Sequence, residues 1–494
     1  MNSSRKSSLI AGAVASVLGA GSALALPPGT AIDYTLYSGG GSAQANAFFV
    51  GACQIIGTNA DMYTTAALPT LDPNEYVITG TTTAAFTQGA VTVPAGKNVM
   101  WFYKYSKGSY TNGVAPQTAG GGLLGYPTVA EINAGLPAAP PGTSCTTGQA
   151  TVQYSTTYGN SQQPIFGLSD VEVGMFQHYN NNSCGSTAPA KNCDGGPAPA
   201  VAFQDGIYDN LFGIAETDVA YSDVAHPKKN FTRAEMEGII SGAIGNWNQL
   251  YDDNGNQMPA QNMIFLDRTE GSGTKTSGSE YFLGYPSNGT AAVLPFSATG
   301  GYTGTTATIA NVRQVVAEAS TAAVVADLIA LNGAGLNAVA VLGLENPPGL
   351  QTTTGAYDFT AINGVHVDTN TLPADDINGA GAGHTTSYVN VIRGDYDFYY
   401  QNSFNAQAGV IGGGTIPDAF AGQMKSVMQL VGFSGCNSGL AFPLAVTGTL
   451  IDADVSAAIV KGVTLATRGK NSQAPLQQKV FPALAALPAC TDPV

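Results

Sequence analysis

The nine-residue stretch Asp267-Arg268-Thr269-Glu270-Gly271-Ser272-Gly273-Thr274-Lys275 constrains this chain more than any other. It follows the apolar run Met263–Leu266, which reads as a buried strand, and precedes a helix-compatible segment to Leu283. A glycine-bracketed turn between strand and helix gathers backbone amides, hydroxyls and the positive helix end at one point, an arrangement that suits an oxyanion. Arg268 adds a planar fork of donors, and Glu270 is placed to hold that fork. A nucleotide loop is a poor alternative, because it requires Gly-Lys-Thr and the order here is Gly273-Thr274-Lys275.

A strand–turn–helix unit of this kind belongs in an α/β layered fold. The rest of the chain supplies more such units. Ile32–Tyr37 reads as a strand, Ser38–Ser42 as a glycine turn and Ala43–Ile56 as a helix. Asn98–Tyr105 is a strongly apolar strand followed by a polar loop, 106–114. Pro164–Leu168 is a short strand ending at Ser169-Asp170; the plainer role for Asp170 is a helix cap. A second Ser-Asp-Val, Ser222-Asp223-Val224, leads to Pro227 and reads as a loop.

Further along, Leu211–Ala215 is a strand and Thr232 caps a helix. Thr308–Leu331 reads as two helices, Ala338–Leu344 as a buried strand and Tyr357–Gly364 as an arm of a hairpin. Strands follow at Tyr388–Ile392 and Tyr396–Tyr400, and the remainder is helical. Alternation of this sort implies mostly parallel pairing. Stretches rich in Gly, Pro and Thr near 115–160, 179–200 and 346–385 read as polar insertions.

At 494 residues the chain exceeds one ordinary core. Only 10% of residues are charged, against about 25% in an ordinary globular domain. The surface must therefore be covered by Gly, Ala, Thr, Ser and Asn, as in a secreted protein. A net charge of −15 excludes nucleic acid as a partner. It also slows anion capture, but screening over ~8 Å lets a local Arg and amide dipoles prevail.

Residues 1–25 form a signal peptide, with Arg5 and Lys6, the apolar run Leu9–Leu18 and a small-residue site predicting cleavage after Ala25. The apolar run is shorter than the ~20 residues a membrane span needs. Six cysteines follow, at 53, 145, 184, 193, 436 and 490. An even number in an exported chain suggests disulfides, with Cys184–Cys193 the shortest closure. Their spacing lacks the Cys-x-x-Cys of a zinc site, so no metal and no cofactor are expected.

Together these loops resemble the phosphate-binding periplasmic receptors of ABC importers, as a divergent branch of the type 2 periplasmic binding proteins. The family's Arg-x-Asp-Gly-Ser-Gly-Thr loop corresponds to Arg268–Thr274, with Glu270 in place of Asp. Gly-Gly-Gly-Ser-Ala-Gln at 39–44 resembles the first binding turn, and Phe166–Asp170 the strand whose Asp accepts the ligand's proton. Gly108-Ser109 falls where a second binding loop would, with one extra residue. Thr232 to Trp247 resembles the family's helix and loop ending in Asn-Trp.

The resemblance implies two α/β lobes, 26–204 with 390–494 and 205–389, and a ligand cleft between them. The implied anion-binding residues are Ser42, Ala43, Ser109, Asp170, Arg268, Glu270, Ser272, Gly273 and Thr274. It implies a monomeric, non-enzymatic binding protein for phosphate or a related oxyanion, periplasmic or secreted, with an ABC permease as partner. Two other readings stand beside it: a secreted phosphatase or other phosphoryl-transfer enzyme, and a surface protein that keeps the fold without transport. Ser272-Gly273-Thr274-Lys275 also spells the Ser-x-x-Lys of serine acyl enzymes, though without a Lys-Thr-Gly partner.

Overall fold

The computed structural model describes residues 26–27, 29–57, 60–67, 73–105, 108–135, 150–154, 160–176, 200–284, 299–300, 314–344, 346, 356–366 and 396–434. The signal peptide expected at 1–25, the Cys184–Cys193 closure, the strand expected at 388–392 and the tail with Cys436 and Cys490 lie outside the described residues. Cys53 is buried on a helix and is not a free thiol. Among the described residues no helix is long and apolar enough to cross a membrane.

The chain is α/β, organised on a 14-stranded sheet. Its strands are β1 (Tyr34–Gly40), β2 (Asp61–Ala67), β3 (Pro73–Thr81), β4 (Asn98–Lys104), β5 (Ala150–Tyr154), β6 (Gly167–Ser169) and β7 (Phe203–Thr217). The second half adds β8 (Asn230–Phe231), β9 (Ile264–Arg268), β10 (Thr299–Gly300), β11 (Gln314–Glu318), β12 (Val339–Gly343), β13 (Tyr357–Ile362) and β14 (Tyr399–Ala406). The order across the sheet is β10-β11-β9-β12-β7-β14-β6-β1-β4-β3-β2-β5, with β13 joining β7 to β8. Helices α1 (Ala45–Ile56), α2 (Arg233–Ser241), α3 (Gly273–Leu283), α4 (Thr321–Gly333) and α5 (Ile416–Ser434) cover it.

Pairing is mixed rather than mostly parallel. β6, β1 and β4 run parallel on one side, and β9, β11 and β12 on the other. Between them β7 and β14 pair antiparallel from Phe203–Ala406 to Leu211–Tyr399, with a bulge between Gly206 and Asp209. The sequence pattern marked only five residues of β7, because the polar Gln204, Asp205, Asp209 and Asn210 hide the strand's 15-residue length.

Two large hydrophobic cores result. One gathers Leu36, Phe48, Trp101, Phe166, Phe404 and Phe420 under α1 and α5. The other gathers Phe212, Trp247, Phe265, Val324, Val339 and Phe398. β7 gives Ile207 to the first and Leu211 to Ala215 to the second; β14 gives Phe404 to the first and Tyr399 and Tyr400 to the second. Val171, Val173, Met175 and Phe176 join the second core although they follow β6. The pleat of β4 accounts for its continuous apolar run. Val99, Trp101 and Tyr103 face the α1 side, while Met100 and Phe102 face a smaller cluster with Tyr126 and Ile132.

Local chemistry sets the helix ends. Thr232 and Glu235 form a capping box at α2, and Gly242 ends that helix in the left-handed region. The segment read as two helices is β11 followed by α4. Val315 and Val316 are buried in a parallel strand beside β9, and Ser320 caps α4 through the Ala323 amide. Apolar periodicity alone does not separate a buried strand from a buried helix. The polar loop after β4 includes a π-helical turn, Ser109–Val114, that buries Ser109 and Asn112.

Candidate functional site

Five strand ends meet in one region. β1 ends at Gly40 and passes through Gly41, Ser42, Ala43 and Gln44 into α1; β4 leads to the Ser109 turn; β6 ends beside Asp170. From the other half, β9 ends at Arg268 before α3, and β11 ends at Glu318 before α4. Crevices outside the carboxyl ends of strands are where open α/β sheets bind ligands. Helix starts there also present amides outside the helical ladder.

The contacts join both halves. The Tyr110 amide donates to Gly271 O at 2.9 Å. Ser42 Oγ lies 3.3 Å from Thr321 Oγ1, and Arg268 Nη1 donates to Thr321 Oγ1 at 2.5 Å. The Asp170 amide donates to Ser109 Oγ at 3.3 Å. A Cβ on Gly273 would lie 2.5 Å from the Asp170 Cβ and 2.7 Å from its Oδ2, so the start of α3 abuts this carboxylate. A Cβ on Gly41 would collide with Asp170 Oδ1 and Ser109 Oγ and reach within 2.8 Å of Gln44 Oε1. Gly41 is therefore packed closely against three polar groups.

Asp170 is buried, and that desolvation pushes its carboxyl up to about 6. The Ser109 hydroxyl, the Arg268 charge and the Gln44 amide oppose the rise without cancelling it. Its Oδ1 has no hydrogen-bond partner among the described residues. Buried polar atoms without partners are uncommon in native interiors.

Arg268 is buried and pinned by the end of β11. Its Nε donates to Glu318 O and its Nη2 to Ala319 O, both at 3.3 Å. This corrects the expectation that Glu270 holds the guanidinium. The Glu270 side chain is 50% exposed and stands 3.7 Å from Lys275 Nζ. The parallel neighbour strand brings carbonyls to Arg268, so a carboxylate brace is not needed. Lys275 is paired mainly with Asp267. Burial pulls its pKa down, but the charges of Asp267 and Glu270 more than offset that, leaving the ammonium stabilised. A stabilised ammonium is a poor base for Ser272, whose hydroxyl caps α3 by accepting the Lys275 amide at 3.4 Å.

The structure thus gathers Ser42, Ser109, Asp170, Arg268 and Gly273. Ala43 is buried in the turn before α1, and Thr274 is buried in the first turn of α3. Ser272 serves as a cap. The other Ser-Asp-Val is an exposed turn, in which Asp223 Oδ1 accepts the Ala225 amide. Sequence reasoning placed Gly41 and Gln44 in the first binding turn without giving either a role, and missed Thr321. The Ser320-Thr321 pair ahead of an Ala-rich segment is a cap signal that could have found the last.

No family model and no curated protein matches this chain. Among solved structures it is similar to one from Clostridium perfringens described as a phosphate ABC transporter substrate-binding protein with bound phosphate. Identity is 13% and the TM-score 0.27, over 45% of this chain and 65% of that one. It is also similar to one from Planctomyces limnophilus described as a phosphate-binding protein, at 12% identity and TM-score 0.25, over 41% and 55%. The match spans less than two thirds of either structure. Likeness at that level carries no functional argument, so the weight falls on the site itself.

Proposed function

We propose that this chain is an exported binding protein that closes around a tetrahedral oxyanion, phosphate first among candidates. The observation that carries the reading is one network of contacts: Asp170 lies against Ser109 and Gly273 at the start of α3, while Arg268 and Ser42 both meet Thr321. Arg268 supplies charge-assisted bonds, the hydroxyls and first α3 amides supply neutral ones, and the crevice keeps water from weakening them.

Asp170 gives the site its selectivity. Hydrogen phosphate carries a proton that it donates to the carboxylate. Sulfate has none at neutral pH and would set one buried oxyanion against another. The signal-like residues 1–25 support export, and delivery to an ABC permease is the transport role that fits such a receptor.

The test is calorimetry on protein unfolded and refolded to strip resident ions. Phosphate should bind and sulfate should not. Binding of neither ion, or equal binding of both, refutes the reading. Release of phosphate from a chromogenic ester would move the protein to the phosphoryl-transfer class.

A further inference from the structure

The register of β14 brings one more group to this site. The ladder of β6 and β14 ends with the Ser169–Ser403 pair, and Asp170 and Asn402 are the residues next to that pair on either segment. Leu168 and Phe404, one pair before Ser169–Ser403, both lie in the core under α1. Residues two apart on a strand share a sheet face, so Asn402 stands on the face of Phe404.

Asn402 is fully buried, and neither its Nδ2 nor its Oδ1 has a hydrogen-bond partner among the described residues. Gln44, equally buried at the start of α1, makes no close hydrogen bond among the described residues at Nε2 or Oε1, although its amide lies near enough to Asp170 to hold that carboxyl down. Its Oε1 borders the space at Gly41, as does Asp170 Oδ1. Three buried side chains with open bonding positions thus belong to one region, where native interiors leave few such atoms. Elsewhere on β14, Ser403 Oγ donates to Val171 O and Asn405 Nδ2 donates to Ser403, while Asn405 Oδ1 has no partner among the described residues; Asn402 is the residue there with both amide atoms unpartnered.

We infer that Asn402 and Gln44 are ligand-binding residues, their amide NH2 groups donating to oxygens of the bound oxyanion. The inference rests on the oxyanion reading above. It also assigns β14, a strand that enters both cores, a direct contact with the ligand. The amide oxygens can accept from a protonated ion, which suits hydrogen phosphate and adds nothing for sulfate.

The test is Asn402→Leu, which nearly preserves volume and removes both polar atoms. Calorimetry with inorganic phosphate should show Kd rising about tenfold, as for one lost hydrogen bond. Thermal unfolding of the ligand-free variant should hold or rise, because an unpartnered amide has left the interior. A wild-type Kd overturns the inference, as does a lower ligand-free Tm with Kd unchanged, which would mark a structural role. If Asn402→Leu does not fold, Asn402→Asp takes its place: a new carboxylate there should abolish phosphate binding, and retained affinity overturns the inference. Arg268→Ala separates the two readings. Phosphate binding lost with Arg268→Ala but kept by the Asn402 variants defeats this inference alone; a wild type that binds no phosphate defeats both.

Discussion

Replacing Asp170 by Asn probes the chemistry at the centre of the crevice. Burial holds this carboxyl at about 6, against an ordinary 3.8. At about 1.4 kcal/mol per pKa unit, roughly two units place about 3 kcal/mol against the ligand-free fold at neutral pH. The folded-state pKa is the higher one. Stability is therefore fully present below about pH 4, is lost as pH rises through about 6, and is level above that. Asn does not titrate, so ligand-free Asp170→Asn should be the more stable protein at pH 8, by up to about 3 kcal/mol. The two should converge near pH 4. Binding should move the other way: phosphate loses its proton acceptor and weakens, while sulfate gains an amide donor and improves. Denaturant unfolding across pH, with calorimetry at pH 7 using both ions, reads each half. A variant less stable than wild type at pH 8 would refute the desolvation argument. Unchanged selectivity would remove Asp170 from the site.

Arg268→Ala removes the buried guanidinium and should cost at least ~2 kcal/mol of phosphate binding, read by calorimetry. Gly41→Ala places a methyl against Asp170 Oδ1 and Ser109 Oγ. It should abolish binding while far-ultraviolet circular dichroism stays unchanged. Glu270→Gln should leave phosphate affinity within about twofold, since this carboxylate is half-exposed beside Lys275; a larger loss by calorimetry would restore it as the brace of Arg268.

Local signals were legible where one stretch of chain holds all the partners. The Arg268–Thr274 loop was one such case, with its strand before and helix after, and the Thr232 capping box was another. Glu270 misled because its neighbour in sequence, Arg268, takes its partners from β11, some fifty residues away. β11 was hidden because an Ala/Val-rich segment satisfies helix and strand patterns alike. β7 was cut short because its polar residues serve the join between two cores rather than one buried face.

Residue order alone determined that this chain is α/β and sets a glycine-bracketed turn at Gly271–Thr274 between a strand and a helix, since each depends on groups close together along the chain. Only the tertiary structure decided that Ser42 meets Thr321, that β11 carbonyls hold Arg268, and that Asp170, Gln44 and Asn402 share one region with unmet bonding positions. Those partners come from strands far apart in sequence. Parallel and antiparallel register, which no local pattern encodes, places them together.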